Sequence, residues 1–163
     1  MKFLNHKKQA GFTLIETVIY LALFGIMFSG AIAGAYSIME SSNRNHAWAM
    51  AQEEGQFLIA KIGWAVSNAK SASVPAVGRL SAAVGSDNLE FALAGTDLTL
   101  ARNVSPAEPL NDSIAMITNL YFNDISLDGS GQKGIGYGFD LEAKTPNGGT
   151  VKSKFSSTAY LRK

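Results

Sequence analysis

The sequence contains no cysteine, so no disulfide can staple it and no thiolate can serve as nucleophile or metal ligand. Histidine is nearly as scarce. His6 and His46 are the only two, which excludes a histidine-based metal cluster. A serine triad would have one candidate base, His46, close to the end of an apolar run. Neither Gly-x-Ser-x-Gly nor His-Glu-x-x-His occurs. Proline is absent before Pro75. Charge of either sign is missing between Glu16 and Glu40, a gap of 23 residues. The formal net charge of +1 gives no global attraction to nucleic acid. No catalytic constellation is left, and an enzyme is not expected.

The gap in charge coincides with a long apolar run. As a helix, residues 17–39 would extend roughly 35 Å, enough for a bilayer core of about 30 Å. Lys2, Lys7 and Lys8 precede it. The positive-inside bias then places the N-terminus in the cytoplasm and the rest of the chain across the membrane. An ordinary secretory signal has its apolar segment before the cleavage site and loses it. Here the polar leader is short and its junction lies before the apolar segment. Tyr20 and Tyr36 fall near the two ends, as interfacial aromatics do. Small residues recur every fourth position at Gly25, Ser29, Ala33 and Ser37, and again at Gly30 and Gly34. Such strips let helices approach closely in lipid. Each glycine also softens the helix, by about 1 kcal/mol relative to alanine. Glu16 is a lone carboxylate at the edge of the run, expensive there unless it snorkels to the headgroups or meets a cation.

From residue 41 the helix is expected to continue and become amphipathic. Trp48, Ala51, Gly55, Leu58, Ile62, Ala65 and Ala69 repeat at spacings of three and four, one stripe for a core. Gln52, Glu53, Gln56 and Lys61 mark the wetter side. Gly55 and Gly63 allow close approach of a sheet, and Phe57 and Trp64 fall off the stripe, where neighbouring subunits could meet them. Residues 70–87, with Pro75, read as a loop carrying a short strand near residues 79–84. Leu89, Phe91 and Leu93 alternate, then Leu98 and Leu100 after Gly95-Thr96-Asp97, which reads as a hairpin. Residues 103–113, with Pro106 and Pro109, read as a loop. Ile114, Met116, Leu120 and Phe122 are expected on one face of a strand, extended toward Ile125 and Leu127. After a flexible 128–134 come Ile135, Tyr137, Phe139 and Leu141, a turn at Pro146-Asn147-Gly148-Gly149, and a last strand with Val151, Phe155, Ala159 and Leu161. The fold class expected is α+β, a long N-terminal helix whose second half packs on one C-terminal antiparallel sheet.

Weaker signals favour ordinary structure. Gly134-x-Gly136-x-Gly138 lies inside an alternating strand pattern with no helix start after it, which suits a sheet better than a phosphate loop. Asp124, Asp128 and Ser130 fit no EF-hand spacing, and Asp-Gly is turn chemistry, so no cofactor or metal is expected. Asn103-x-Ser105 and Asn111-x-Ser113 match a glycosylation sequon of the kind that arises by chance. Lys152, Lys154, Arg162 and Lys163 form a small basic cluster without the interleaved aromatics that nucleic-acid binding favours.

A lysine-rich leader, then Gly11-Phe12-Thr13-Leu14-Ile15-Glu16, then a long apolar run resembles a type IV prepilin or pseudopilin. The resemblance implies cleavage between Gly11 and Phe12 by a prepilin peptidase and methylation of the new Phe12 amine. It implies that Glu16 neutralises the amine of a neighbouring subunit during assembly. It divides the chain into a leader (1–11), a transmembrane and assembly half-helix (12–39), an amphipathic half-helix (40–70) and a β-sheet domain (71–163). The partners implied are the peptidase, other pilin or pseudopilin subunits, inner-membrane assembly machinery and, before assembly, membrane lipid. Many pilins bend their apolar helix with a proline, which this chain lacks. Leu100-Ala101-Arg102, Pro109-Leu110, Leu120-Tyr121-Phe122 and Leu161-Arg162 are similar in order to minor pseudopilins of the GspJ and PilW kind. The function so implied is a structural subunit of a type IV filament or secretion pseudopilus, carried from the inner membrane into a periplasmic or extracellular filament. The alternative is a pilin-like tip module that binds a surface, DNA or an exported substrate.

Overall fold

The computed structural model describes residues 11–126 and 132–162. Residues 1–10 of the leader, residues 127–131 (with Asp128 and Ser130) and Lys163 lie outside them. Among the described residues the element order is one helix followed by eight strands, an α+β architecture with a long apolar helix and antiparallel sheets. The helix α1 (Leu14–Asn68) passes through two compact units, Met1–Ser41 and Ser42–Lys163.

In the first unit, α1 begins after Thr13, whose hydroxyl accepts the Glu16 N–H at 3.3 Å. That is the Thr-x-x-Glu start of a helix, satisfying one of the four amides the first turn leaves open. No proline interrupts the helix beyond this cap, and residues 17–41 are all exposed.

In the second unit, the remainder of α1 buries Ala47, Ala51, Gly55, Leu58, Ile62, Ala65 and Val66. Trp48, expected on that stripe, is 54% exposed, and Ala47 takes its place. One residue is a turn of about 100° around the helix, enough to carry an indole from core to solvent. The helix ends where the Asn68 side-chain amide donates to the Trp64 carbonyl at 2.8 Å. The Lys70 N–H then donates to the Ala83 carbonyl at 2.8 Å, handing the chain to the first sheet.

The strands form two sheets, where a single one was expected. The first has the order β1 (Ser71–Ala76), β2 (Arg79–Val84), β3 (Asp87–Ala94), β4 (Asp97–Arg102), β5 (Glu108–Pro109). The second has β6 (Ala115–Ser126), β7 (Lys133–Lys144), β8 (Thr150–Tyr160). All pairs are antiparallel. The first four strands of sheet one are a meander with two-residue turns, each holding a positive-φ glycine: Gly78, Gly85 and Gly95. Its two prolines sit on its two edge strands, where a missing N–H is tolerated. Two expectations are corrected here. Residues 71–76 are a strand rather than loop, with a register shift between Ser73 and Ala76 that accommodates Pro75. Glu108–Pro109 is a short edge strand inside the 103–113 loop. Asn111 ties the sheets together: its side chain accepts the Leu98 N–H at 2.7 Å and donates to the Ala115 carbonyl at 2.7 Å.

The face expected for β6 is corrected as well. Ala115 and Ile117 are buried, then Leu120 and Phe122, whereas Ile114 is 42% exposed. The pairing shifts between Thr118 and Tyr121, and Asn119 there has a φ of 53°. The extra residue in this bulge reverses the alternation.

The core joins Leu58, Ile62 and Val66 of α1 with Leu80, Phe91 and Leu98 of sheet one and Ile117, Ile135, Phe139 and Leu141 of sheet two. Each such side chain contributes roughly 1.5–3 kcal/mol. Gly55 and Gly63 set the approach of α1 to sheet two. A Cβ at Gly55 would lie 2.2 Å from the Phe155 ring, and one at Gly63 would lie 2.6 Å from the Tyr137 hydroxyl. That hydroxyl donates to the Ile59 carbonyl at 3.2 Å. Burial raises the Tyr137 pKa above its ordinary value of 10.0, opposed by a hydrogen bond with Ser157.

Candidate processing and assembly site

Gly11, Phe12 and Thr13 precede the first turn of α1 and are exposed, so the Gly11–Phe12 peptide lies outside the helix and within reach of an enzyme. A Cβ added at Gly11 meets nothing within 4 Å. The fold of this chain therefore does not require glycine there, and a preference for it would be imposed by whatever cuts.

The start of α1 gathers three side chains. Thr17 donates its N–H and its hydroxyl to the Thr13 carbonyl, at 3.2 and 3.3 Å, locking the first turn. Glu16 is the one half-buried residue from 11 to 42. Its Oε1 accepts the Tyr20 hydroxyl at 3.2 Å, the neighbour one turn on. The Tyr20 ring meets Phe12 edge to face, with centroids 6.2 Å apart. Phe12, Glu16 and Tyr20 thus share one face. The ion pairs found among the described residues are Arg79–Glu90, Arg102–Asp87, Lys152–Glu142 and Lys154–Asp140, all in the second unit. Glu16 receives a neutral hydroxyl, not a cation, among those residues.

Thr13 and Tyr20 are the residues that sequence reasoning undervalued. Thr-x-x-Glu is a capping-box signature, and Glu16 and Tyr20 stand four apart, so both signals were present. Gly25, Ser29, Gly30, Ala33 and Gly34 are all exposed, and a Cβ at any of the three glycines meets nothing within 4 Å. Ser29 spends its hydroxyl on the Ile26 carbonyl at 2.9 Å. The strip is open to solvent along its length.

In the second unit, Phe57 and Trp64 are 50% and 52% exposed, and Lys61 sits 5.9 Å over the Trp64 ring. Lys152 and Lys154 face Glu142 and Asp140, so half of the basic cluster is locally neutralised. Gly134, Gly136 and Gly138 lie within β7, between two strands. Asp124 is exposed on β6 opposite Ile135.

Residues 6–32 match the family model described as the prokaryotic N-terminal methylation motif. The match spans the leader junction, Phe12, Glu16 and the first part of the apolar helix. No curated protein and no solved structure matches the chain. The motif indicates a prepilin-type substrate of a processing enzyme and supports the type IV prepilin-like family. Together with one helix long and apolar enough to cross a bilayer, it supports a membrane-anchored, single-pass protein.

Proposed function

We propose that the chain is a minor pilin or pseudopilin, a structural subunit of a type IV filament or type II secretion pseudopilus. Prepilin peptidase cuts after Gly11 and methylates the Phe12 amine, and the mature chain waits in the inner membrane with its sheet domain outside. The observation that carries this reading is the methylation motif over residues 6–32, joined to an exposed Gly11–Phe12 bond at the mouth of an apolar helix. Glu16 then supplies the counter-charge for the Phe12 ammonium of a neighbouring subunit. The geometry suits that role: the carboxylate is held by Tyr20 alongside Phe12, with no cation on it among the described residues. The open strip through Gly25, Ser29, Gly30, Ala33 and Gly34 gives adjoining helices room to pack, as small residues do in lipid.

The test is the mass of the protein from membranes of a host that has the peptidase. The expected result is loss of residues 1–11 and one added methyl on Phe12. An intact leader in such a host contradicts the reading. Gly11→Arg should abolish cleavage while leaving the fold alone, since the side chain enters open space.

A further inference from the structure

The face of β6–β8 turned away from α1 plays no part in the filament reading, and its construction is unusual. Gly134, Gly136 and Gly138 form alternate positions of the central strand. A Cβ at Gly134 would lie 2.6 Å from the Tyr160 ring, and one at Gly136 would lie 2.7 Å from Ile125. At Gly138 it would lie 2.6 Å from both the Tyr121 hydroxyl and the Phe155 carbonyl oxygen. Three side chains are absent so that neighbours can lie across bare backbone. Tyr121 remains 41% exposed and Tyr160 37% exposed, so each ring covers a glycine and still offers surface to solvent.

The register fixes how the two rings are disposed. Tyr121 pairs with Gly138 and Tyr160 with Gly134, four residues apart along β7. The offset is about 13 Å along the strands and about 10 Å across them. The row between them is Asn123, Gly136 and Thr158, and Ser156 stands in the row of Tyr121; Asn123, Ser156 and Thr158 all reach the surface. Charges farther along the face are paired: Lys154 with Asp140 at 3.9 Å, and Lys152 with Glu142.

We propose that this face binds a neutral, extended polysaccharide, whose sugar rings stack on Tyr121 and Tyr160 and whose hydroxyls meet Asn123, Ser156 and Thr158. The chemistry of the face selects that occupant. The rows from Tyr121 to Tyr160 carry no lysine, and Lys152 and Lys154 farther along are paired with carboxylates, which suits an uncharged chain across the two rings. The rings lie over glycines and fill the space where a pocket would be, whereas protein hot spots sit in desolvated pockets. An amphipathic tyrosine ring with hydroxyl and amide neighbours fits a ligand that is apolar on its faces and polar at its rim. The ring separation demands a chain rather than one sugar.

The proposal stands apart from the filament reading and is tested on the full chain in detergent. Co-sedimentation with microcrystalline cellulose and with chitin should retain the wild type on at least one of them. Soluble oligosaccharides of that polymer should displace it, and the corresponding monosaccharide should not. Tyr121→Ala and Tyr160→Ala should each weaken binding about tenfold, and Phe at either position should keep it. Thr158→Glu puts an unpaired charge in the middle row at the surface and should also weaken binding; it decides the matter where an alanine variant does not fold. Retention on neither polymer overturns the proposal, as does binding unchanged by the alanine and glutamate variants. A preference for DNA-cellulose over plain cellulose overturns it as well, and so does a protein partner lost on Tyr121→Ala in a chain that binds neither polymer.

Discussion

Residues 17–41 and residues 42–163 are built on opposite plans. The first stretch is helix with every residue exposed, although Leu21, Phe24, Ile26, Met27 and Phe28 are apolar side chains each more than half exposed. The second gathers Leu58, Ile62, Phe91, Ile117 and Phe139 with their neighbours into one core shared by a helix and two sheets, although Trp48, Phe57 and Trp64 stay outside it. Water would not tolerate the first arrangement, since an exposed apolar surface of this extent marks contact with lipid or with other chains. The second has no cysteine to staple it and closes by packing. One region is completed by its surroundings and the other by itself, so mutations in the two should report through different measurements.

The largest effect on stability is expected inside the sheet unit. Phe91 is fully buried, and Phe91→Ala should cost about 3–5 kcal/mol in urea unfolding of a fragment starting at Ser42. Leu21→Ala, at a position 67% exposed, should leave unfolding of the sheet unit unchanged in the full chain in detergent. Equal losses from the two would erase the contrast. Asn111→Ala comes next, at about 2–3 kcal/mol, because the Leu98 N–H and the Ala115 carbonyl both lose a buried partner. A loss under about 0.5 kcal/mol would mean that the sheets are joined by packing alone. Gly30→Leu enters open space and should leave the isolated chain intact, yet lower its share in filaments. Equal incorporation would remove the strip from the packing surface.

The smallest effect concerns pH. Tyr137 has a folded pKa raised above 10.0, chiefly by burial. The folded state then holds a proton that the unfolded state releases, so this contribution to stability is fully present below about pH 10 and is lost as pH rises through the folded pKa. In the Ser42 fragment, Tyr137→Phe should make the decline of the unfolding midpoint above about pH 10 shallower. An unchanged slope would assign the alkaline loss to other groups.

The α+β class is legible in the sequence through two periods, three-to-four spacing from Ala51 to Ala69 and strict alternation from Ile135 to Leu141. Where the pattern misleads, a local event breaks the period. The Asn119 bulge reverses the faces of β6, so that Ala115 and Ile117 turn inward in place of Ile114 and Met116. Pro75 hides β1, because a proline belongs to a strand chiefly at an edge and edges are not marked in sequence. The join between two sheets depends on Asn111, whose bonds link residues 98, 111 and 115 and leave no periodic trace. At the N-terminus Gly11, Phe12 and Glu16 stand out by motif. Tyr20 reads as an interfacial anchor, and its hydrogen bond with Glu16 emerges only once the first turns are built.

The central proposal is that the Phe12 ammonium of a neighbouring subunit supplies the cation that Glu16 does not meet among the described residues. The most direct measurement is the share of Glu16→Gln protein in sheared filaments relative to membranes, with leader removal checked by mass. Removing one partner of a poorly solvated ion pair typically costs about 3–5 kcal/mol, against roughly 0–1 kcal/mol for an exposed one. The account expects normal insertion and cleavage, a steep fall in incorporation, and an intermediate value for Glu16→Asp, which keeps the charge but shortens its reach. Incorporation of Glu16→Gln at the wild-type level would contradict it and leave Glu16 as a carboxylate that serves only Tyr20 and the headgroup layer.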